Sequence, residues 1–533
     1  MHTHVLIVGA GPTGLMLANQ LARRGVRPLV IDRHSGPAQQ TRAMAVHART
    51  LEIYAKLGIA DRAVALGQRG DAANMWAEGR RSARIPLGEI GQDLSPFPYV
   101  LMLGQDDNER ILGERLRELG IHVQWNTELV ALEQKSDRVD VELKQPDGST
   151  RRVSAAWVAG CDGSHSAVRE RCGVGFPGAP YEHTFFVADT TAVGSMTPNE
   201  LNVYLWRDGF HLFFPMRGAN RWRVIGILPK TLRNSDSVTF DDVAPSIVAE
   251  AGTGIHFRHC DWFSTYRIQH RSAERFRDGR CFLLGDAAHI HSPMGGQGMN
   301  TGLQDAYNLG WKLAAVVKDD AGPALLDSYA AERMPVAQRL LDSTDRAFTL
   351  IVSDSWVASL LRTRVIAKVA ATAMRLQRMR RLAFRTLSQI GIAYRESGLS
   401  QSLAPLPEGA PQPGDRFPWL RLRLEAGGPV EDLYERLDDE RFHLLSFGQR
   451  AETPPSAGDM LRAWSVPSDA ANDEVLARAG IAQPSFYLLR PDGHVGLAGT
   501  RLDVDQISRY LAERVGWREP AAIAQVQHVR IGG

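Results

Sequence analysis

The chain has 533 residues, enough for two to four domains at roughly 150 residues each. Its 62 Lys and Arg against 60 Asp and Glu leave a formal charge of +2, far from the strongly basic balance of a nucleic-acid binder. Four scattered cysteines (Cys161, Cys172, Cys260, Cys281) argue against a disulfide framework or a zinc site, and no apolar run approaches the roughly 20 residues that span a bilayer. With no secretory leader pattern before Val5, the expectation is a cytoplasmic protein of several domains, with no metal, no nucleic-acid partner and no integral membrane association.

In chain order, His4 to Val8 reads as a buried strand, Gly14 to Arg24 as a helix with Gly25 at its C-cap, and Val26 to Ile31 as a second buried strand. From Glu182 to Pro229 the period falls to two. Leu201, Val203 and Leu205 share one face, Tyr204 and Trp206 the other, and 207–209 and 217–220 read as hairpin turns. This is a mixed or antiparallel sheet inserted into an α/β framework. Residues 281 to 316 return to strand, glycine loop and helix. A helical stretch to about Gln389 follows, and its Arg362, Arg364, Lys368, Arg375, Arg378, Arg380, Arg381 and Arg385 read as a solvated face rather than a membrane contact. A Pro/Gly-rich passage from Ala404 to Pro418 marks a linker, and a smaller α/β unit closes the chain.

Three glycine and aspartate segments carry the chemistry. Gly9-Ala10-Gly11-Pro12-Thr13-Gly14 lies between strand and helix, with Asp32 at the end of the next strand, 23 residues after Gly9. The first glycine allows the tight turn, the second lets a pyrophosphate approach the backbone, the third lets the helix pack closely, and the acid suits ribose hydroxyls. The motif alone does not separate one dinucleotide from another. Gly160-Cys161-Asp162-Gly163, with Ser166 and Arg169, follows the Trp157–Ala159 strand and could supply donors to a phosphate, but by itself is equally an ordinary strand-end turn. Gly285-Asp286-Ala287-Ala288-His289 ends a buried strand, and Gly295-Gly296-Gln297-Gly298-Met299-Asn300 leads into a helix whose N-terminus favours developing negative charge. His289 reads as structural.

Together these segments resemble the class A, single-component, FAD-dependent aromatic monooxygenases, in order and in spacing over about residues 4 to 400. The run from Thr41 to Glu52 is similar to the family's loop and helix beside the flavin, Gln105 to its ribityl-contacting glutamine, and Tyr329, Glu332, Arg333 and Pro335 to its helix after the third motif. The tail resembles the thioredoxin-like C-terminal domain of the phenol and polyketide hydroxylase branch, without redox cysteines, since none lies beyond Cys281.

The resemblance implies an α/β fold: an FAD-binding Rossmann-like domain begun by residues 1–180, an inserted β-sheet substrate domain over 181–275, completion of the FAD domain and long helices over 276–400, and the thioredoxin-like domain over 401–533. It implies hydroxylation of a phenolic or polycyclic aromatic substrate by O2 and NADPH (or NADH), through a flavin C4a-hydroperoxide. Baeyer–Villiger oxygenation on the same fold is the main alternative; a non-catalytic aromatic-binding flavoprotein would need a broken flavin site. FAD would be held by Gly9, Gly11, Pro12, Thr13, Gly14, Asp32, Arg33, Arg42, Gln105, Asp162, Asp286, Gly298, Met299 and Asn300. Arg42 reads alternatively as a helix-capping surface residue. The substrate candidates are Tyr204, Trp206, Phe213, Trp222, Pro293 and Gly295. Strand parity lets only some of the aromatic ones face the site. No side chain is a certain catalyst; Arg42, His211 and Pro293 are the candidates, and a lone strand histidine is more often a structural hydrogen-bond partner. The partners are the aromatic substrate and O2, and the expected state is a monomer or homodimer.

Overall fold

A computed structural model describes residues 1–518 except 39–42, 78, 207–208, 233–236, 252–253, 292–293 and 353–375. The first sheet is built on five parallel strands in the order Cys281–Leu283, Thr150–Gly160, His2–Val8, Leu29–Ile31, Val123–Gln124. Val5 to Ile7 are completely buried, as an apolar strand covered on both faces must be. The chain turns outward to a neighbour on each side of His2–Val8, so the crevice lies beyond the carboxyl ends of the strands, where Val8, Ile31, Gly160 and Leu283 finish together. Two helices cover the crevice floor. Pro12–Arg23 begins with its proline at the first turn, where no amide hydrogen is needed, and Gly298–Val317 packs across it.

The second sheet has eight strands, in the order His289–Ile290, His256–Ser272, Gly178–Val193, Arg221–Ile227, Gly209–Pro215, Leu201–Trp206, Ala72–Ala77, Arg80–Pro86. The alternation at 201–206 is genuine strand, and its partner Gly209–Pro215 follows through a hairpin, Tyr204 opposite His211. The last two strands come from far upstream. Ala72–Ala77 joins Leu201–Trp206 in parallel, so the sheet extends beyond the 181–275 range. One face carries Phe186, Tyr204, Phe213, Trp222 and Val224 against Val243 and Ile247 of the Phe240–Ala251 helix. The other carries Phe185, Leu205, Leu212 and Tyr266 and turns toward the first sheet's crevice.

The C-terminal unit has a sheet ordered Gln401–Ser402, Val495–Gly499, Ser485–Leu489, Phe442–Phe447, Leu461–Val466. One face encloses its own core, with Phe417, Leu445 and Tyr487. The other continues into the main body, where Phe442, Leu444 and Phe486 pack with Trp311, Ala315 and Leu325. Beside that apolar seam lies a cluster of buried ions. Arg490 donates to both oxygens of Glu332 (2.6 and 3.0 Å) and also pairs with Asp492; Lys312 reaches Glu332 at 2.7 Å, and all four side chains are essentially unexposed. Glu52 joins Arg416 and Arg49 nearby. Among the described residues no helix is long and apolar enough to cross a membrane.

Candidate functional site

Two cavities, of about 570 and 720 Å³, open at the carboxyl ends of the first sheet and share Gly11, Gln105, Cys161 and Gly163. The glycine loop divides its work among three positions. Gly9 has φ +102°, and a Cβ there would run into the carbonyl of Cys161; one at Gly14 would run into the carbonyl of Gly9. Gly11 has nothing within 4 Å of the place its Cβ would occupy, so of the three it is the one whose backbone is uncrowded where the cavities meet. Pro12 and Thr13 follow in the wall of the inner cavity, and Thr13 meets the third segment. A Cβ on Gly302 would lie 2.5 Å from Thr13 Oγ1 and 3.1 Å from Gly285 Cα, which fixes how closely helix 298–317 approaches.

Asp32 and Arg33 stand in the outer cavity. Asp32 accepts from the amide of Ala10 (2.7 Å) and from that of His34 (2.8 Å), so the acid also ties the glycine loop to the second strand. Glu109, in the same wall, accepts from Ala38 N at 2.8 Å and from Gln105 Nε2 at 2.9 Å, and burial raises its pKa. Gln105 opens helix Gln105–Glu118 at the junction of the two cavities.

Asp162 lines the outer cavity and accepts from Ser166 Oγ (2.6 Å) and the Val168 amide (3.2 Å); burial raises its pKa against those bonds. Arg169 is not a phosphate donor here. Its guanidinium donates to the carbonyls of Ala287 (3.0 Å) and Ser164 (2.9 Å) and lies on Phe176, joining the second segment to the third.

Asp286 projects into the inner cavity. Its carboxyl has no hydrogen-bond partner among the described residues, and although it is reached by solvent through the cavity, the enclosing wall raises its pKa. The turn that presents it is held from behind: Asp305, wholly buried, accepts from the Gly285 amide (3.0 Å) and pairs with His289 (2.7 Å) and Arg333 (2.7 Å). Burial alone would raise the Asp305 carboxyl, but Arg333 first, and then the His289 ring, hold it below its usual range. His289 is thus a structural partner of Asp305.

Gly298 and Met299 line the inner cavity at the start of helix 298–317, where backbone amides have no intrahelical acceptor. Asn300 turns its side chain away from the cavity. It donates to Ala45 O (2.8 Å) and Gly296 O (2.9 Å) and accepts from His47 N (2.9 Å) and Thr50 Oγ1 (2.7 Å). Gly295, at φ +75°, is outside the lining; its carbonyl accepts from His47 Nε2 at 2.8 Å, while Gly296 faces the cavity. Burial lowers the pKa of His47 to about 4.

The strand candidates fall on the other side of the sheet. Tyr204, Phe213 and Trp222 are buried against helix 240–251 and do not reach the cavity. His211 shares that side, paired with Glu250 at 2.7 Å and stacked with Trp206. The sheet instead contributes Phe214, next to Phe213, with Ile225 and Tyr266, and Ile290 and His291 complete that wall. Both faces of these strands are apolar, so the alternation left their parity open. Arg42 and Pro293 lie outside the described residues.

Residues 2–344 match the family model described as an FAD binding domain. The chain is 36% identical to the 6-methylpretetramide 4-monooxygenase of Streptomyces rimosus over 516 residues, 93% of this chain and 91% of that one. Its fold superposes on the OxyS anhydrotetracycline hydroxylase from Streptomyces rimosus with a TM-score of 0.75 and 29% identity, covering 98% and 100% of the two chains. It superposes on aklavinone-11 hydroxylase, solved in a ternary complex with FAD and aklavinone, with a TM-score of 0.77 and 25% identity over 96% and 99%.

Proposed function

The chain belongs to the FAD-dependent class A aromatic monooxygenases, and from that premise we propose that it hydroxylates a phenolic or polycyclic aromatic compound held against the Phe214–Ile225–Tyr266 wall. The observation that carries this reading is the pair of joined cavities, with open glycine backbone at the join and an unpartnered carboxyl at Asp286.

The residues present fit FAD. Gly11 and Thr13 would receive the pyrophosphate on their amides at the start of helix 12–23, where the helix field stabilises negative charge, and Pro12 between them fixes the turn. Asp32, with Arg33 at the rim, would take the adenosine ribose in the outer cavity. Gln105 and Asp286 would hold the ribityl hydroxyls, the carboxylate of Asp286 as acceptor. Asp162 acts through Ser166 and Val168 by shaping the turn at the join. Gly298 and Met299 would offer their amides to the pyrimidine edge of the ring. Asn300 supports them from behind by pinning the helix start to Ala45 and Gly296.

The bound flavin supplies the redox chemistry, taking a hydride from NADPH or NADH and passing one oxygen atom of O2 to the substrate and the other to water. The protein's part is to orient and to exclude water. Phe214, Ile225 and Ile290 would present an apolar surface to an aromatic ring, and the amides of Gly298 and Met299 would favour negative charge placed at the helix start.

The C-terminal unit reads as thioredoxin-like, supported by its central strand order and by the parallel pairing of Phe442–Phe447 with Leu461–Val466. Without cysteines it serves as a brace.

The test is the visible spectrum of the purified protein, followed by NADPH and NADH oxidation with a panel of phenols and anthraquinone-like polycycles. Flavin absorption with substrate-stimulated turnover and a ring-hydroxylated product by NMR is the expected result. A colourless protein that refuses FAD would overturn the proposal, and a lactone product would turn it into a ring-expanding oxygenase.

A further inference from the structure

Four carboxylates line the outer cavity: Asp32, Glu109, Glu128 and Asp162. Asp32 ties the glycine loop to its strand, Asp162 shapes the turn at Ser166, and Glu128 is exposed. Glu109 alone of the four is buried, at 4% exposure. Resting on the assignment of Gln105 to the ribityl chain of FAD, we propose that Glu109 is a positioning residue that fixes which end of the Gln105 amide faces the flavin.

The placement follows from the helix. Gln105 is the first residue of Gln105–Glu118 and Glu109 the fifth, so the two side chains share a face one turn apart. The first turn is pinned from other directions. Asn108 donates to the carbonyls of Leu103 (3.2 Å) and Gly104 (2.7 Å) and accepts from the Tyr54 hydroxyl (2.8 Å), while the Gln105 backbone amide donates to Ala43 O at 3.2 Å. On that fixed turn Glu109 makes two bonds at once. Its Oε2 accepts from the Ala38 backbone N–H at 2.8 Å and its Oε1 from Gln105 Nε2 at 2.9 Å. Asp32 holds the start of the Asp32–Ala38 segment through the His34 amide (2.8 Å), and Glu109 holds its end.

Polarity turns this geometry into a role. A backbone N–H only donates and an ionised carboxylate only accepts, whereas a glutamine amide can present either end. Burial raises the Glu109 pKa and the charges of Asp32 and Asp106 add to the rise, while the bonds from Gln105 and Ala38 oppose it. Against the ionised carboxylate the Gln105 amide has one favourable orientation, with its NH2 toward Glu109. Its carbonyl oxygen has no hydrogen-bond partner among the described residues and is the end left for the two cavities that Gln105 lines. An acceptor there suits a ribityl hydroxyl, which can donate, and not a phosphate oxygen, which cannot. Glu109 thereby gives Gln105 its selectivity without itself being asked to touch the flavin.

The experiment is a double-mutant cycle on the full chain, read as the Kd of FAD from flavin fluorescence at about pH 8, far above an ordinary glutamate pKa near 4.3. Glu109→Gln can keep the Ala38 bond through its amide oxygen but turns an NH2 toward Gln105, whose own amide must then reverse or lose its partner. FAD should bind about ten-fold more weakly, the worth of one hydrogen bond to a charged group. Gln105→Leu should weaken it by about the same factor. The double variant should also lose about ten-fold, where two independent losses would multiply to about a hundred-fold. An E109Q protein that binds FAD within about two-fold of wild type overturns the proposal, and so do losses that multiply, which would make Glu109 a support of the fold alone. Should E109Q lack a cooperative urea transition, Glu109→Asp, one methylene shorter and so withdrawn from Gln105, takes its place in the cycle. If the wild type takes FAD but Gln105→Leu leaves the Kd unchanged, the ribityl assignment of Gln105 fails and the proposal falls with it. A wild type that takes no FAD fails the flavin reading itself.

Discussion

Replacing Arg490 by methionine tests how the C-terminal unit is joined to the flavin domain. The guanidinium is fully buried and serves two carboxylates, making bonds of 2.6 and 3.0 Å to Glu332 and a further ion pair with Asp492. Methionine fills similar volume without charge. Glu332 then keeps Lys312 (2.7 Å) and the Ser397 hydroxyl (2.6 Å), whereas Asp492 is left with the Trp311 indole N–H (3.2 Å) and His494. Removing one partner of a buried pair costs about 3–5 kcal/mol. Because one of the two carboxylates retains a cation, about 4 kcal/mol is expected, which multiplies the unfolded population roughly a thousand-fold. The assay is equilibrium urea unfolding followed by far-ultraviolet circular dichroism, with FAD retention measured on the same samples. The companion is a four-site variant, Lys312→Met, Glu332→Leu, Arg490→Met and Asp492→Asn, which removes all four charges together. It should recover much of the loss, since an apolar replacement avoids the desolvation that the ions incur. An R490M protein within about 1 kcal/mol of wild type, or a four-site variant less stable than R490M, would refute the reasoning.

Other positions separate folding from cofactor binding. A Cβ at Gly11 meets no atom within 4 Å, so Gly11→Ala should leave the urea midpoint unchanged while weakening FAD retention, whereas Gly9→Ala, at φ +102° and against Cys161, should fail to fold to a compact soluble species. Phe213→Ala should cost about 3–5 kcal/mol of stability, as a core truncation does, with little change in KM. Phe214→Ala should cost less stability but raise the KM for the aromatic substrate, read from steady-state kinetics. His47, whose folded pKa is lowered from 6.5 to about 4 by burial, contributes stability that is fully present above pH 6.5 and is lost as pH falls toward 4. The loss amounts to about 3 kcal/mol, and a His47→Gln variant should show a correspondingly shallower acid dependence of its urea midpoint.

The glycine loop and its acid were legible because local backbone geometry demands them. Gly9 and Gly14 have no room for a side chain, and Asp32 sits at the end of a strand whose burial pattern is unmistakable. Asp286 was legible for the same reason, at the end of a buried strand. The sheet side of the inner cavity was not. Phe213 and Phe214 are adjacent aromatic residues in a strand buried on both faces, and nothing local distinguishes the side against helix 240–251 from the side over the cavity. The hairpin over 72–86 joins the sheet by a parallel pairing across more than 100 residues of sequence, a contact beyond the reach of any local period. Arg169 shows a different limit. A guanidinium beside a glycine turn suits a phosphate as well as two carbonyls, and only the position of Ala287 decides between them.

Helix 298–317 starts in the cavity wall, and its far half, with Trp311 and Lys312, lies against the C-terminal unit, 20 residues and about 30 Å of one rigid rod. Its anchor reaches the ribosome exit late. Glu332 waits for Arg490 across 158 residues of synthesis, roughly 8–30 s at ordinary elongation rates. Through that interval the nascent flavin domain carries a charged, half-satisfied seam beside uncovered Trp311 and Leu325. Release of a chain truncated before residue 490 would leave that seam open permanently, so a prematurely terminated product is a candidate for chaperone capture and proteolysis rather than a smaller working enzyme.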